Sequence, residues 1–422
     1  MAGPAGPYDL VVIGLGYAGL PLAVEAARTG MRVAGLDQDP ERVARLAAGR
    51  SYVDDISDAD VAAARAQGFH PTGDPEVLAR AEAIAICVPT PLRDSVPDLT
   101  AVTDAARLIA PRLRPGALVV LESTTYPGTT TDVLLPLLAV DGRVVGRDFR
   151  LAFSPERTDP GNQAFRLSNT PKIVGGVTAE CSAAATALYD RLVQKVVTVS
   201  TPAAAELAKL LENTYRQVNI ALVNELAVFC HGLGADVWEV IDAAGTKPFG
   251  FQAFRPGPGV GGHCIPVDPG YLAFRGRSLG HPLRLTELAQ DINNRMPDYV
   301  VGRVTDLLND ARRSVRGARI LLLGATYKPD VADGRGAPAL AVAERLVALG
   351  AELSFHDPYV TRLPAGGRTL RRVAALDAAV AEADLVVLLQ PHLDYDLPAI
   401  AEAARLLFDT SGRAVGAGVV HL

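Results

Sequence analysis

The chain has 422 residues, 49% of them hydrophobic, with 39 glycines and 30 prolines, which at roughly 100–200 residues per domain leaves room for two or three packed domains. A formal net charge of −6 leaves no basic footprint and argues against nucleic acid or an anionic membrane as partner. No apolar run approaches the roughly 20 residues that span a bilayer, and Cys87, Cys181, Cys230 and Cys264 show neither paired nor CxxC spacing, so a cytoplasmic protein without secretory leader or metal centre is expected.

The first stretch, "YDLVVIGLGYAGLPLAVEAARTGMRVAGLDQD", reads as strand, glycine turn, helix and strand. Leu10–Ile13 is a continuous apolar run, as a parallel strand covered on both faces requires. Further strands are expected at Ala83–Val88, Leu118–Glu122 and Arg150–Phe153. Their alternation with helical stretches predicts a doubly wound α/β domain over residues 1–200.

Gly14, Gly16 and Gly19 form GxGxxG between that first strand and its helix. The first glycine permits the turn, the second admits a pyrophosphate, the third allows close helix packing, and the helix N-terminus favours the anion. Asp37 ends the next strand, where a carboxylate bonds the adenosine ribose and repels a 2′-phosphate, so NAD is favoured over NADP. Arg42 works against that preference, because an arginine near this position accepts a 2′-phosphate in some dinucleotide sites.

Next, Ser200 or Thr201 caps and Pro202 opens a helix whose apolar positions Leu207, Leu210, Leu211, Val218, Leu222, Leu226 and Phe229 keep helical spacing. It heads a central helical segment, residues 201–316, suited to a hub between domains or subunits. Lys209 and Asn213 share one face at i and i+4, and with Glu206 and Arg216 they make a polar stripe. That stripe is either a solvated face or an ammonium and an amide aimed into a cleft, where they would lower a thiol pKa and hold an oxyanion.

In the loop "GPGVGGHCIPVDPGYL", Cys264 follows Gly259, Gly261 and Gly262, with Asp268 four residues on. A lone cysteine is commonly an inert buried thiol. Here the bare loop also offers room for a substrate and backbone N–H groups for anions. From residue 317 to 422, "ARILLLGATY", "AELSFHDP", "ADLVVLLQPH" and "RLLFDTSG" read as four strands of a second, smaller α/β sheet. The expected fold is therefore α/β, with two Rossmann-like doubly wound parallel-sheet domains joined by a long central helix.

Taken together and in order, "GLGYAGLPLA", "CVPTPL", "ESTTYPGTT", "SPERTDPGN", "PKIVGG", "LENTYRQVNIALVNE", "TKPFGF", "PGPGVGGHCIPVDP" and "YKPDVADGR" resemble the nucleotide-sugar 6-dehydrogenases. That family contains the UDP-glucose and UDP-N-acetylhexosamine dehydrogenases, and the resemblance runs from Val11 to Ser411. It implies homodimers through the central helix and a four-electron, NAD-dependent oxidation of a UDP-sugar at C6. It casts Cys264 as nucleophile, Lys209 and Asn213 as oxyanion donors, Lys209 with Asp268 as handlers of water and protons, and Glu156 as the aid to hydrolysis. Tyr17, Asp37, Arg42, Thr90 and Thr124 would line the NAD pocket, with Thr124 also beside the chemistry and Arg335 reaching the cofactor. Arg157, Arg216, Arg255, Gly261 and Lys328 would join Glu156, Lys209 and Asn213 around the nucleotide sugar.

Within the family, "SPERTDPGN" and "TKPFGF" resemble the branch acting on 2-acetamido sugars, with UDP-N-acetylglucosamine favoured and UDP-N-acetylmannosamine or UDP-glucose as alternatives. Two positions depart from the pattern. Gly336-Ala337-Pro338 follows Asp333-Gly334-Arg335 where Glu-Ser-Pro is usual, and Arg255 stands where that branch often has an aromatic. The rival readings are a two-electron hydroxy-acid dehydrogenase, which needs neither the cysteine loop nor a second sheet, and a non-catalytic nucleotide-sugar sensor, which would not need Cys264, Lys209 and Asp268.

Overall fold

The computed structural model describes residues 6–53, 55–93, 95–159, 161–162, 164–262 and 265–422. It forms two compact units, Met1–Glu212 with Gly270–Pro282, and Asn213–Pro269 with Leu283–Leu422.

The first unit is built on eight strands: β1 (Tyr8–Ile13), β2 (Val33–Leu36), β3 (Phe69–Thr72), β4 (Ala81–Ile86), β5 (Leu118–Leu121), β6 (Arg150–Phe153), β7 (Lys172–Gly176) and β8 (Val196–Val199). Their order is β8-β7-β6-β5-β4-β1-β2-β3, so the winding reverses between β1 and β4. Successive side chains of a strand face opposite ways. Leu10 and Val12 accordingly enter one core, while Val11 and Ile13 enter the other. That is why the run is apolar throughout.

The expected strands are present as β1, β4, β5 and β6, and the doubly wound class holds. One pairing departs from an all-parallel sheet: β6 and β7 run antiparallel, with Phe153 opposite Gly175. A parallel pair needs a long crossover, usually a helix. Among the described residues, the link between β6 and β7 holds only a 3₁₀ turn at Leu167–Asn169.

The second unit has a parallel sheet of β9 (Arg319–Leu323), β10 (Glu352–His356), β11 (Leu385–Leu388), β12 (Leu407–Asp409) and β13 (Val419–His421), ordered β10-β9-β11-β12-β13. The first four match the expected strands. Its opening turn repeats that of the first unit. Gly14 N–H donates to the Leu36 carbonyl at 2.8 Å and Leu15 N–H to Asp37 at 2.8 Å; Gly324 donates to His356 at 2.9 Å and Ala325 to Asp357 at 2.6 Å. Asp357 is sealed, however, with His392 Nε2 at 3.0 Å on the same oxygen.

The helix Pro202–Leu233 spans 32 residues and begins as expected, with Ala204 N–H donating to Thr201 Oγ1 at 3.1 Å. Glu206 does not join a solvated stripe. Its carboxylate is buried and accepts from Gly128 N–H at 2.6 Å, Thr130 N–H at 2.9 Å and Thr130 Oγ1 at 2.7 Å. The helix is thereby pinned to the turn after β5. No helix among the described residues is long and apolar enough to cross a membrane.

Replacing Glu206 by alanine strands three buried donors. We expect Glu206→Ala to cost about 2–4 kcal/mol of stability, lowering the melting temperature of the first unit by roughly 5–12 °C. Differential scanning calorimetry measures this directly, and an unchanged thermogram would mean that the carboxylate anchors nothing.

Candidate active site

The glycine turn divides its labour in a way the motif alone does not reveal. A Cβ on Gly14 would sit 2.6 Å from the Cys87 carbonyl oxygen, and one on Gly19 would sit 1.9 Å from that of Gly14. Both glycines are required by packing inside the unit. A Cβ on Gly16 would meet nothing within 4 Å. Its bareness leaves room for something outside the chain, beside the helix Gly19–Arg28, whose N-cap Ala18 offers no side-chain acceptor. Amides at such an end attract an anion.

At the far side of this turn Asp37 is 6% exposed. It accepts from Leu15 N–H at 2.8 Å and Asp39 N–H at 2.9 Å, and the Arg42 guanidinium lies 3.7 Å away. Arg42 also pairs with Asp39 at 3.4 Å and lies over the Tyr52 ring. Tyr17 is exposed at the lip of the turn. This set fits a dinucleotide: open space at Gly16, an uncapped helix end and a fixed carboxylate.

Thr90 and Thr124 are brought together where the chain leaves β4 and β5, Thr90 Oγ1 donating to the Thr124 carbonyl at 2.7 Å. The Tyr271 hydroxyl donates to the Thr90 carbonyl. Next along the rim is Glu156. Its Oε1 accepts from Arg157 N–H at 2.8 Å and Thr158 N–H at 2.5 Å, and Lys172 Nζ lies 3.9 Å from Oε2. Burial disfavours the charge on Glu156, but Lys172, the Thr158 hydrogen bonds and Lys209 outweigh it and hold the carboxyl below its ordinary range.

Lys172 and its partners carry a signal that sequence reading missed. Lys172 is 2% exposed, bonds Glu122 at 2.6 Å and lies over the Tyr189 ring, whose hydroxyl donates to Glu122. Burial works against the lysine's charge, yet Glu122 and Glu156 hold its pKa above the ordinary value. A lysine opening a short apolar strand, with a glutamate just past another, was the available cue. Cys87, Cys181 and Cys230 are buried free thiols, and burial followed by Glu122 pushes the Cys87 thiol well up.

In the second unit Asn213 Nδ2 donates to the buried Asp268 carboxylate. Lys209, also buried, lies one turn earlier on the same helix, in the part that belongs to the first unit. Cys264 lies outside the described residues; the loop on either side of it is held at both ends. Gly257 N–H donates to Asn224 Oδ1 at 2.9 Å, and Gln290 Nε2 donates to the Pro266 carbonyl at 3.1 Å. Asn224 in turn donates to Asn293 at 2.9 Å.

Gly261 and Gly262 are bare because of packing within the second unit. Cβ atoms there would lie 2.8 Å and 3.0 Å from Tyr327 atoms, and Gly262 has φ +88. Pro338 would lie 2.9 Å from the Gly261 Cβ, and Gly336, at φ +61, sits on Gly262. Lys328 adjoins Tyr327 and its carbonyl accepts from Thr326. Arg335 pairs with Asp333 at 2.6 Å. The remaining arginines are engaged or solvated: Arg157 binds Glu212 at 2.7 Å and the Pro171 carbonyl, Arg255 binds Asp242 over the Trp238 ring, and Arg216 is exposed.

Residues 8–193, 203–295 and 321–414 match, in turn, the NAD binding domain, the central domain and the UDP binding domain of the UDP-glucose/GDP-mannose dehydrogenase family. The UDP-N-acetyl-D-mannosamine dehydrogenase of Salmonella typhimurium is 35% identical, over 95% of this chain and 98% of its own. The UDP-N-acetyl-D-glucosamine 6-dehydrogenase of Pseudomonas aeruginosa is 36% identical, over 83% of each. Among solved structures, UDP-D-ManNAc dehydrogenase from Pyrococcus horikoshii superposes with TM-score 0.87 at 33% identity, covering 98% of both chains.

Arg42 is already shared with Asp37 and Asp39, and a carboxylate just past the strand after a dinucleotide glycine turn repels a 2′-phosphate. NAD is expected to outperform NADP by at least about tenfold in kcat/KM, equivalent to roughly 1.4 kcal/mol. Equal efficiency with both cofactors would show that Arg42 leaves its carboxylates for the phosphate.

Proposed function

We propose that this chain, which belongs to the UDP-glucose/GDP-mannose dehydrogenase family, oxidises the C6 hydroxyl of a UDP-N-acetylhexosamine to the carboxylate, with UDP-N-acetylglucosamine as the favoured sugar. It is an oxidoreductase and its cofactor is NAD. The observation that carries the reading is Asn213 holding Asp268, four residues past Cys264, with Lys209 one helical turn earlier. A hydroxy-acid dehydrogenase has no use for that arrangement, nor for a UDP binding domain. The choice of N-acetylglucosamine rests on "SPERTDPGN", since the identities to relatives named for N-acetylmannosamine and N-acetylglucosamine, 35% and 36%, do not separate the two sugars.

In this reading residues 1–200 hold NAD, 201–316 carry the cysteine loop and the dimer contact, and 317–422 hold the UDP-sugar. Gly16, Tyr17, Asp37, Thr90 and Thr124 seat the cofactor, with Arg335 completing its site. Lys328, Arg157, Arg216, Arg255 and Gly261 serve the nucleotide sugar. Two NAD molecules, bound in succession, supply the acceptors for the two hydrides that leave C6, one each, and Lys209 with Asp268 handle the protons released. The Cys264 thiolate adds to the C6 aldehyde, and the sulfur holds that carbon as thiohemiacetal and then as thioester, so the aldehyde cannot escape. Lys209 and Asn213 donate to the C6 oxygen as charge develops on it. Glu156 takes a proton from the water that attacks the thioester, the C–S bond breaks toward sulfur, and the carboxylate leaves.

A second copy of the chain covers the helix Pro202–Leu233. Leu207, Leu211, Leu222, Phe229 and Leu233 are exposed along it and recur at 4, 7 or 11 residues, which is one stripe. A stripe of that size in water favours association.

Incubation with NAD and UDP-N-acetylglucosamine, UDP-N-acetylmannosamine, UDP-N-acetylgalactosamine, UDP-glucose or GDP-mannose tests the reading. We expect two NADH per sugar, a product heavier by the change from CH2OH to carboxylate, and the highest kcat/KM with UDP-N-acetylglucosamine. One NADH with an aldehyde product would overturn it. Cys264→Ser should keep fold and ligand binding while carboxylate formation falls at least about 10³-fold, and serine at Cys87, Cys181 or Cys230 should leave most activity.

A further inference from the structure

Beside Glu156, at the rim of the first sheet, stand Glu122, Lys172 and Tyr189, three buried groups that the reaction above does not use. Continuing the β6–β7 register three residues beyond Phe153 and Gly175 sets Glu156 opposite Lys172. The ammonium is not free to close on Glu156. Glu122, 2.6 Å away and itself fixed by the Tyr189 hydroxyl, holds it at 3.9 Å from Glu156 Oε2. Both N–H donors on Glu156 go to Oε1. These backbone donors leave Oε2 to face the Lys172 ammonium at 3.9 Å.

The charges agree with this. Taking a lysine out of water costs several kcal/mol unless its surroundings compensate. Two carboxylates, Glu122 and Glu156, balance two ammoniums, Lys172 and Lys209, only while Glu156 is ionised. The other titratable neighbours, the Cys87 thiol and the Tyr189 phenol, are kept neutral by burial.

We propose that Lys172, clamped by Glu122 and Tyr189, is a positioning residue that keeps Glu156 ionised with Oε2 open to the proton of the hydrolytic water. The inference rests on the reading that Glu156 serves hydrolysis. In the step concerned, the water oxygen bonds to the acyl carbon, its proton passes to Oε2, and the C–S electron pair returns to Cys264.

The test follows hydrolysis of the acyl-enzyme by intact-protein mass and NADH release across pH in single turnovers. In Lys172→Met combined with Glu122→Gln, both buried charges vanish together and the pocket keeps its size. Glu156 then loses its cation, its carboxyl rises, and the ionised form survives only at higher pH. The acid limb of hydrolysis should therefore move up by about one pH unit or more, with KM for NAD unchanged. Glu122→Gln alone leaves Lys172 with Glu156 as its sole counter-charge, so the limb should move down. Opposite shifts in two folded variants are not what a purely structural network would give. A wild-type acid limb in either folded variant overturns the proposal. Glu156→Gln separates the two layers: full hydrolysis in that variant defeats the reading of Glu156 itself, whereas loss of hydrolysis alongside unshifted limbs defeats only the role of Lys172.

Discussion

Removing an ammonium from water is among the costliest events in folding, and the first unit does it at the rim where β4, β5 and β6 end and β7 begins. The cost is offset only if carboxylates approach from fixed directions. Glu122 supplies one from the end of β5, and Glu156 supplies another from the turn after β6. The antiparallel course of β7 is what makes this possible. A parallel β7 would start at the opposite edge and carry Lys172 away from the rim. A topological irregularity in an otherwise parallel sheet thus decides where a charge lies beside Glu156, in the region where doubly wound sheets hold their ligands.

A different constraint rules the second unit. The cysteine loop and the loop after β9 approach so closely that Gly261 and Gly262 have no room for a side chain against Tyr327 and Pro338. Gly336 completes the contact in a left-handed conformation, with its would-be Cβ 3.2 Å from the Gly262 carbonyl oxygen. A glutamate there, as the family pattern has it, would be strained in the conformation this chain adopts. The glycine at that position is therefore part of how the two loops fit here, whatever else its change does to Arg335.

Periodicity and glycine spacing were enough to read both sheets, the long helix and the dinucleotide turn, because these depend on local pattern. Short strands escaped. Phe69–Thr72 carries His70 and Pro71, and Lys172–Gly176 opens on a lysine and closes on two glycines. Each is stabilised by neighbours distant in sequence rather than by its own composition. Glu206 looked like one more charge on a helix face, and only the fold brings it to Gly128 and Thr130. The same holds for Lys172: "PKIVGG" was legible as a motif, but its charge finds Glu122 some fifty positions earlier. Polar partnerships of long sequence separation leave no periodic trace.

The first unit is not continuous in the chain. Its last piece, Gly270–Pro282, arrives after 57 residues of the other unit. That piece brings the Tyr271 hydroxyl to Thr90, Phe274 to Tyr126 and Arg275 to Asp132. On a ribosome, which releases the chain from its N-terminus and lets domains fold as they emerge, the dinucleotide turn can form early while the rim beside Thr90 stays untied. A nascent chain halted at Glu212 has the strands of its first sheet but not the Tyr271 tether at Thr90. The first unit is then completed late in synthesis, once Gly270–Pro282 has left the exit tunnel.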